Sequence, residues 1–95
     1  MNQEIDYTKE QIRQIIDNWI EMKEQMEVND AVISTIDVEL ASKRLQPEQQ
    51  ALLAYYKNGL TTQEISIDEN KSFRTIQRKR KRLIEDLYYY LNVAK

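Results

Sequence analysis

"GLTTQEISIDENKSFRTIQRKRKRL", residues 59–83, decides how this chain is read. It begins with the only glycine in 95 residues. Gly59 stands where a helix ends, because the left-handed backbone of a helix C-terminus costs glycine nothing. Thr61 and Glu64 then have the spacing of a capping box. The hydroxyl takes the N–H three residues on, and the carboxylate reaches back to the N–H of Thr61. A short helix follows, "TQEISID", with Ile65 and Ile67 expected inward. "ENK" makes a turn, and Ser72 caps a second helix that runs to about Asn92. Along that helix Ile76, Leu83, Leu87 and Leu91 keep one apolar stripe.

The same punctuation extends upstream. Pro47, the only proline, suits the first position of a helix, where its missing N–H costs nothing. Leu52, Leu53, Tyr55 and Tyr56 supply the buried face of that helix. Before it, a helix over about Ala31 to Arg44 carries a Val32, Ile36, Leu40 ladder joined by Ile33 and Ala41, with Asn29 or Asp30 as its cap. The first helix is expected from about Thr8 to Glu27. Ile12, Ile15, Trp19, Met22 and Met26 are spaced 3-4-3-4 along it, a heptad seam that Ile5 extends backward. Ile16 and Ile20 widen the seam, which either packs on its own domain or pairs with a second chain.

These signals predict an all-α protein of about five helices, with residues 1–28 an acidic amphipathic helix and 29–95 the remaining domain. One Gly and one Pro leave too few turn residues for sheets. There is no cysteine and no histidine, so disulfides, thiol chemistry and an ordinary zinc site are not expected. Without those residues or a glycine-rich phosphate loop, neither catalysis nor a cofactor is expected. No apolar run approaches the ~20 residues that span a bilayer. The polar, acidic N-terminus is unlike a secretory signal. The expected location is the cytoplasm.

Charge is segregated. The net charge is −2, yet seven of the fourteen Lys and Arg lie between residues 71 and 82, with no acid among them. Residues 1–40 hold ten acids against three bases. Such opposed ends point to a polyanionic partner at the basic end. A solvated helix surface normally mixes signs, whereas Arg74, Arg78 and Arg82 stack like charges at intervals of four, at a small repulsive cost.

Two helices joined by a tight turn, the second capped and basic, have the layout of a DNA-binding helix-turn-helix. In that layout the first turns of the second helix enter the major groove. Phe73, Arg74, Gln77 and Arg78 are then the expected base-reading residues. Arg offers two hydrogen bonds to guanine, Gln two to adenine, and Phe73 an apolar face for a thymine methyl. Thr62, Lys71, Ser72, Lys81 and Arg82 are expected at phosphates. Lys79 and Arg80 turn nearer the packed side, with their stems over the core. The tyrosines, including "YYY" at 88–90, are expected as half-buried packing with a wet hydroxyl.

Leu45 to Leu87 resembles region four of sigma factors, and especially the small phage transcriptional regulators of the ArpU type. Leu45, Pro47, Gly59, Thr61, Glu64, Ile65, Ser72, Thr75, Ile76 and Leu83 carry the likeness. It implies duplex DNA binding and control of transcription, with a phage or prophage origin; on the acidic first helix, the neighbours of Trp19 are candidates to contact RNA polymerase or another protein. The chain departs from the pattern at Glu69 and Lys71, where apolar residues are usual, and at Ser66, where a small alanine is usual. Ile67 or Phe73 is expected to fill the resulting gap. Two other readings share the same residues. One is a small terminase subunit, which joins a helix-turn-helix to an oligomerising helix such as the seam helix and is expected as a ring of many copies, whereas a monomer, or a homodimer through the N-terminal helix, fits the regulator. The other is an arginine-rich antitermination helix lying in an RNA groove.

Overall fold

The computed structural model describes residues 6–24 and 29–94. Its helices are α1 (Lys9–Asp17), α2 (Trp19–Lys23), α3 (Asp30–Ser42), α4 (Pro47–Lys57), α5 (Thr62–Asp68) and α6 (Phe73–Asn92), with no strand among the described residues. None of these helices is long and apolar enough to cross a membrane.

The helix ends are set as local chemistry dictates. The Thr61 hydroxyl accepts from the Glu64 N–H at 3.2 Å, and the Glu64 carboxylate accepts from the Thr61 N–H at 3.0 Å. Thr8 and Gln11 form the same reciprocal pair at the start of α1. Asn29 caps α3 by accepting from the Val32 N–H at 3.1 Å. Gly59 lies at φ +84°. Its N–H bonds the Tyr56 carbonyl and the N–H of Leu60 bonds that of Tyr55, the two bonds of a Schellman stop. A Cβ at Gly59 would stand 3.1 Å from the Ile20 side chain.

α6 is the spine. At 1.5 Å per residue its twenty residues span about 30 Å, and α1, α3, α4 and α5 all pack on it. Ile76, Leu83 and Leu87 bring its expected stripe into the core, meeting Ile12 and Ile16 of α1, Leu53 of α4 and Ile65 of α5. Asn92 ends the stripe as a polar clasp. Its carbonyl oxygen accepts from the N–H groups of Asp6 and Tyr7, and its amide donates to the carbonyls of Tyr7 and Tyr88.

Three expectations are corrected and one open alternative is narrowed. The first helix is not continuous. Asn18 sits at φ −116°, ψ 25°, and its side-chain amide donates to the Gln14 carbonyl at 2.9 Å, in competition with the helical ladder. The break adds one helix to the count and lets Trp19 turn inward. Second, of the two uses left open for the seam, its residues take packing on the protein's own core. Ile12, Ile15 and Trp19 are buried within the protein and Met22 packs at the core's edge; Met26 and Ile5 lie outside the described residues. α1 packs on α4 and α6.

Third, α3 buries Thr35, Val38 and Ala41. The expected ladder faces out, with Ile33, Ile36 and Leu40 exposed. Thr35 can go inward because its hydroxyl is satisfied by the Val32 carbonyl at 2.7 Å. Fourth, neither Ile67 nor Phe73 fills the turn between α5 and α6. Ile67 is 73% and Phe73 46% exposed. Ser66 takes the inward place and bonds the Gln63 carbonyl at 2.6 Å.

Candidate nucleic-acid interface

Asn70 makes the turn between α5 and α6 at φ +53°, a left-handed conformation that asparagine tolerates better than most side chains. Its N–H bonds the Ile67 carbonyl and that of Lys71 bonds the Ser66 carbonyl. This is a second Schellman stop, closed by backbone, so no apolar filler is needed at Glu69 or Lys71. Two residues on, the Ser72 side chain accepts from the Thr75 N–H at 3.1 Å and lies 2.8 Å from the Thr75 hydroxyl. Ser72 therefore acts as the cap, and its hydroxyl is already engaged.

The start of α6 is thus fixed, and with it the faces. Ile76 points into the core. Arg74, Gln77, Arg78 and Lys81 are exposed, at intervals of three and four that place them on one side. Phe73, half exposed, stands at the first helical position beside them. Among the described residues Arg74, Arg78 and Lys81 make no ion pair.

The other bases of the run are held by the protein's own acids. Arg80 reaches Asp17 of α1 at 2.9 Å, and its guanidinium lies 4.8 Å from the centroid of the Tyr56 ring. Lys79 reaches Glu48 of α4 at 2.5 Å. These are the two residues expected nearer the packed side. Arg82, expected at a phosphate, is exposed but leans along its own helix to Asp86 at 3.4 Å. Lys79 holds the Glu48 carboxyl below the ordinary carboxylate range. The same ammonium lies beside Lys71 and holds that lysine below the ordinary range, as crowded like charges do.

Thr62, expected at a phosphate, has its hydroxyl 2.8 Å from that of Tyr56. With Gln77 and Lys81 it lines a cleft of about 290 Å³ beside α6. The cleft also takes in Arg80 and two α1 residues absent from the expected site, Lys9 and Arg13. The signal for them was present. They are two of only three bases in residues 1–40, four apart on one helix face. The seam residues on that helix lie in the core and apart from this surface.

Tyr7, Tyr55, Tyr88 and Tyr90 pack against the core as expected, whereas Tyr89 is 50% exposed. Tyr56 is buried beneath Arg80. Tyr55 bonds Asp68 at 2.5 Å, and that bond to a carboxylate pushes its pKa up to about 12. In comparisons with known proteins, no family model, no curated protein and no solved structure matches this chain.

Proposed function

We propose that the chain binds double-stranded DNA with sequence preference, through the first turns of α6 in the major groove, and regulates transcription. The observation that carries this reading is the face of Arg74, Gln77, Arg78 and Lys81. It is exposed, of one sign apart from the neutral Gln77, and has no ion pair among the described residues. Its placement follows from a capped, short-turned pair of helices. A merely solvated surface would use its bases in pairs with neighbouring acids, as Lys79 and Arg80 do.

Arg74, Gln77 and Arg78 read base edges, and Phe73 lies against a thymine methyl. Each good bidentate contact discriminates by about 1–3 kcal/mol. Lys71, Lys81 and Arg82 hold phosphates, with Arg82 exchanging its long contact to Asp86 for one. Ser72 sets the start of the reading helix. The burial of Ile12, Ile15 and Trp19 weighs against a packaging-subunit reading, which relies on that helix to oligomerise. The built turn ahead of α6 favours a duplex groove over a free-standing RNA-binding helix.

The test is selection of retained fragments from a random duplex pool, followed by titration of variants on selected and scrambled duplexes. Arg74→Ala and Arg78→Ala are expected to weaken binding to the selected duplex by about 1–3 kcal/mol and to the scrambled one by less. Lys81→Ala weakens both alike and lowers the salt slope by about one. Equal losses on both duplexes for Arg74→Ala remove it from the base readers, and failure to retain any duplex overturns the function.

A further inference from the structure

We infer that the cleft between α1 and α6 is a second nucleic-acid contact, in which Lys9 and Arg13 hold a backbone phosphodiester flanking the bases that α6 reads. This rests on duplex binding through α6 as proposed. The cleft is lined by Lys9, Arg13, Arg80 and Lys81, with Glu85 as its acid. Asp17 continues the row of Lys9 and Arg13 by four residues and pairs with Arg80. At the other end of α1 the Lys9 ammonium stands 5.5 Å from the Tyr88 ring centroid. The two helices therefore run antiparallel, Asp17 beside Arg80 and Lys9 beside Tyr88, and the bases of α1 are fixed along the flank of α6.

The charge left over in the cleft decides its ligand. Arg80 is engaged by Asp17. Lys9 and Lys81 make no ion pair among the described residues. The partner of Arg13 is Glu10 at 3.2 Å, both side chains well exposed, a pair weak enough to exchange. Cationic heads around one concavity repel each other until an anion enters. A phosphodiester carries one charge on two free oxygens, which two cations can share. The volume, about 290 Å³, equals roughly ten waters at ~30 Å³ each, room for the group and its hydration.

Continuity with the reading face excludes an unrelated small anion as the main ligand. Gln77 and Lys81 belong to both surfaces. A duplex seated on α6 carries its backbone past the cleft mouth. The acidic N-terminal arm thus presents its two bases where a strand passes, with Asp17 there neutralised by Arg80 and Glu10 held by the exchangeable pair with Arg13.

The experiment uses the full chain and a duplex selected from the random pool, over a salt series. Lys9→Gln with Arg13→Gln removes two phosphate contacts, so the salt slope is expected to fall by about 1.8. The deficit of the variant at 50 mM salt then shrinks about tenfold by 200 mM. The ratio of selected to scrambled affinity stays unchanged. Lys23→Gln, the third base of the arm, bonded to Glu39, leaves the slope as it was. Lys9→Arg with Arg13→Lys restores the slope if charge, and not packing, is the cause. An unaltered slope in the double Gln variant overturns the inference, as does a changed selectivity ratio, which would put these residues at bases. If the native chain retains a duplex and Arg74→Ala lowers selectivity while the slope is unaltered, only this inference fails. If the native chain retains no duplex, both fail.

Discussion

Asn92→Ala tests the contact that holds the start of the chain against the end of α6. Asn92 is 4% exposed. It makes three bonds to residues 85 and 86 positions away, to the Asp6 N–H at 2.9 Å, the Tyr7 N–H at 3.0 Å and the Tyr7 carbonyl at 2.8 Å. A fourth bond, to the Tyr88 carbonyl, lies within its own helix and shares an acceptor with the backbone ladder, so it counts for little. Three bonds at a net ~1 kcal/mol each give a loss of about 3 kcal/mol. For a domain of this size that lowers the melting temperature by roughly 12–24 °C. Thermal and urea melts followed by circular dichroism read the stability. Hydrogen exchange reads the location, since the Tyr7 amide is expected to lose its protection first. The control is Asn18→Ala, whose amide bonds only the Gln14 carbonyl within the described contacts of that side chain and is exposed; it is expected to cost under about 0.5 kcal/mol. A loss below about 0.5 kcal/mol for Asn92→Ala, or slow exchange persisting at Tyr7, refutes the reasoning. Because Lys9 and Arg13 follow Tyr7 by two and six residues, release of this clasp is expected to reduce the salt slope of DNA binding along with stability.

Two shorter predictions concern the turn and a tyrosine. Asn70→Val places a β-branched residue at φ +53° and is expected to cost about 1–2 kcal/mol, read by urea melts, whereas Asn70→Gly is expected to cost nothing or to stabilise. Tyr55 is expected to ionise near 12 in a titration followed by ultraviolet absorbance. Its pKa is raised in the folded state, so the associated stability is present below the ordinary value near 10 and is lost as pH rises toward 12. Tyr55→Phe removes both the late step and that pH dependence.

The helix starts at Pro47, Thr62 and Phe73 and the stop at Gly59 were legible because their signals are local, whereas the outward Ile67 and the left-handed Asn70 were not. A cap, a box or a left-handed stop involves residues three to five apart, and sequence displays that spacing directly. The core stripe of α6 was legible for the same reason. α3 was not, because two apolar faces coexist on it. Which one turns inward depends on how α3 docks against α6: of the expected ladder Ala41 is buried but Ile33, Ile36 and Leu40 are exposed, and Thr35 and Val38 take the inward places instead. Asn18 reads as an ordinary polar residue until its amide is seen competing for the Gln14 carbonyl. Asn92 gives no signal at all, since its partners lie at the opposite end of the chain. At the candidate interface the sequence separated Lys79 and Arg80 from the outward bases, but Lys9 and Arg13 join it only through tertiary packing.

The opposed charges of the chain have a structural use that net charge hides. Asp17 and Glu48 take the two α6 bases that face the protein, and Asp86 steadies a third, Arg82. What remains outward is a narrow cationic face on a body of net charge −2. Beyond a Debye length, ~8 Å at physiological salt, such a body is not drawn toward a polyanion as a uniformly basic one is. Within that distance attraction exists only when the α6 face and the α1 cleft point at the strand. Under the proposed function, acids outside that face would suppress sticking in other orientations while leaving the oriented contact intact. Neutralising them, as by Glu21→Gln with Glu24→Gln, would then raise affinity for scrambled duplex more than for the selected one. An equal gain on both would mean that the acidic arm contributes only bulk repulsion and no orientation.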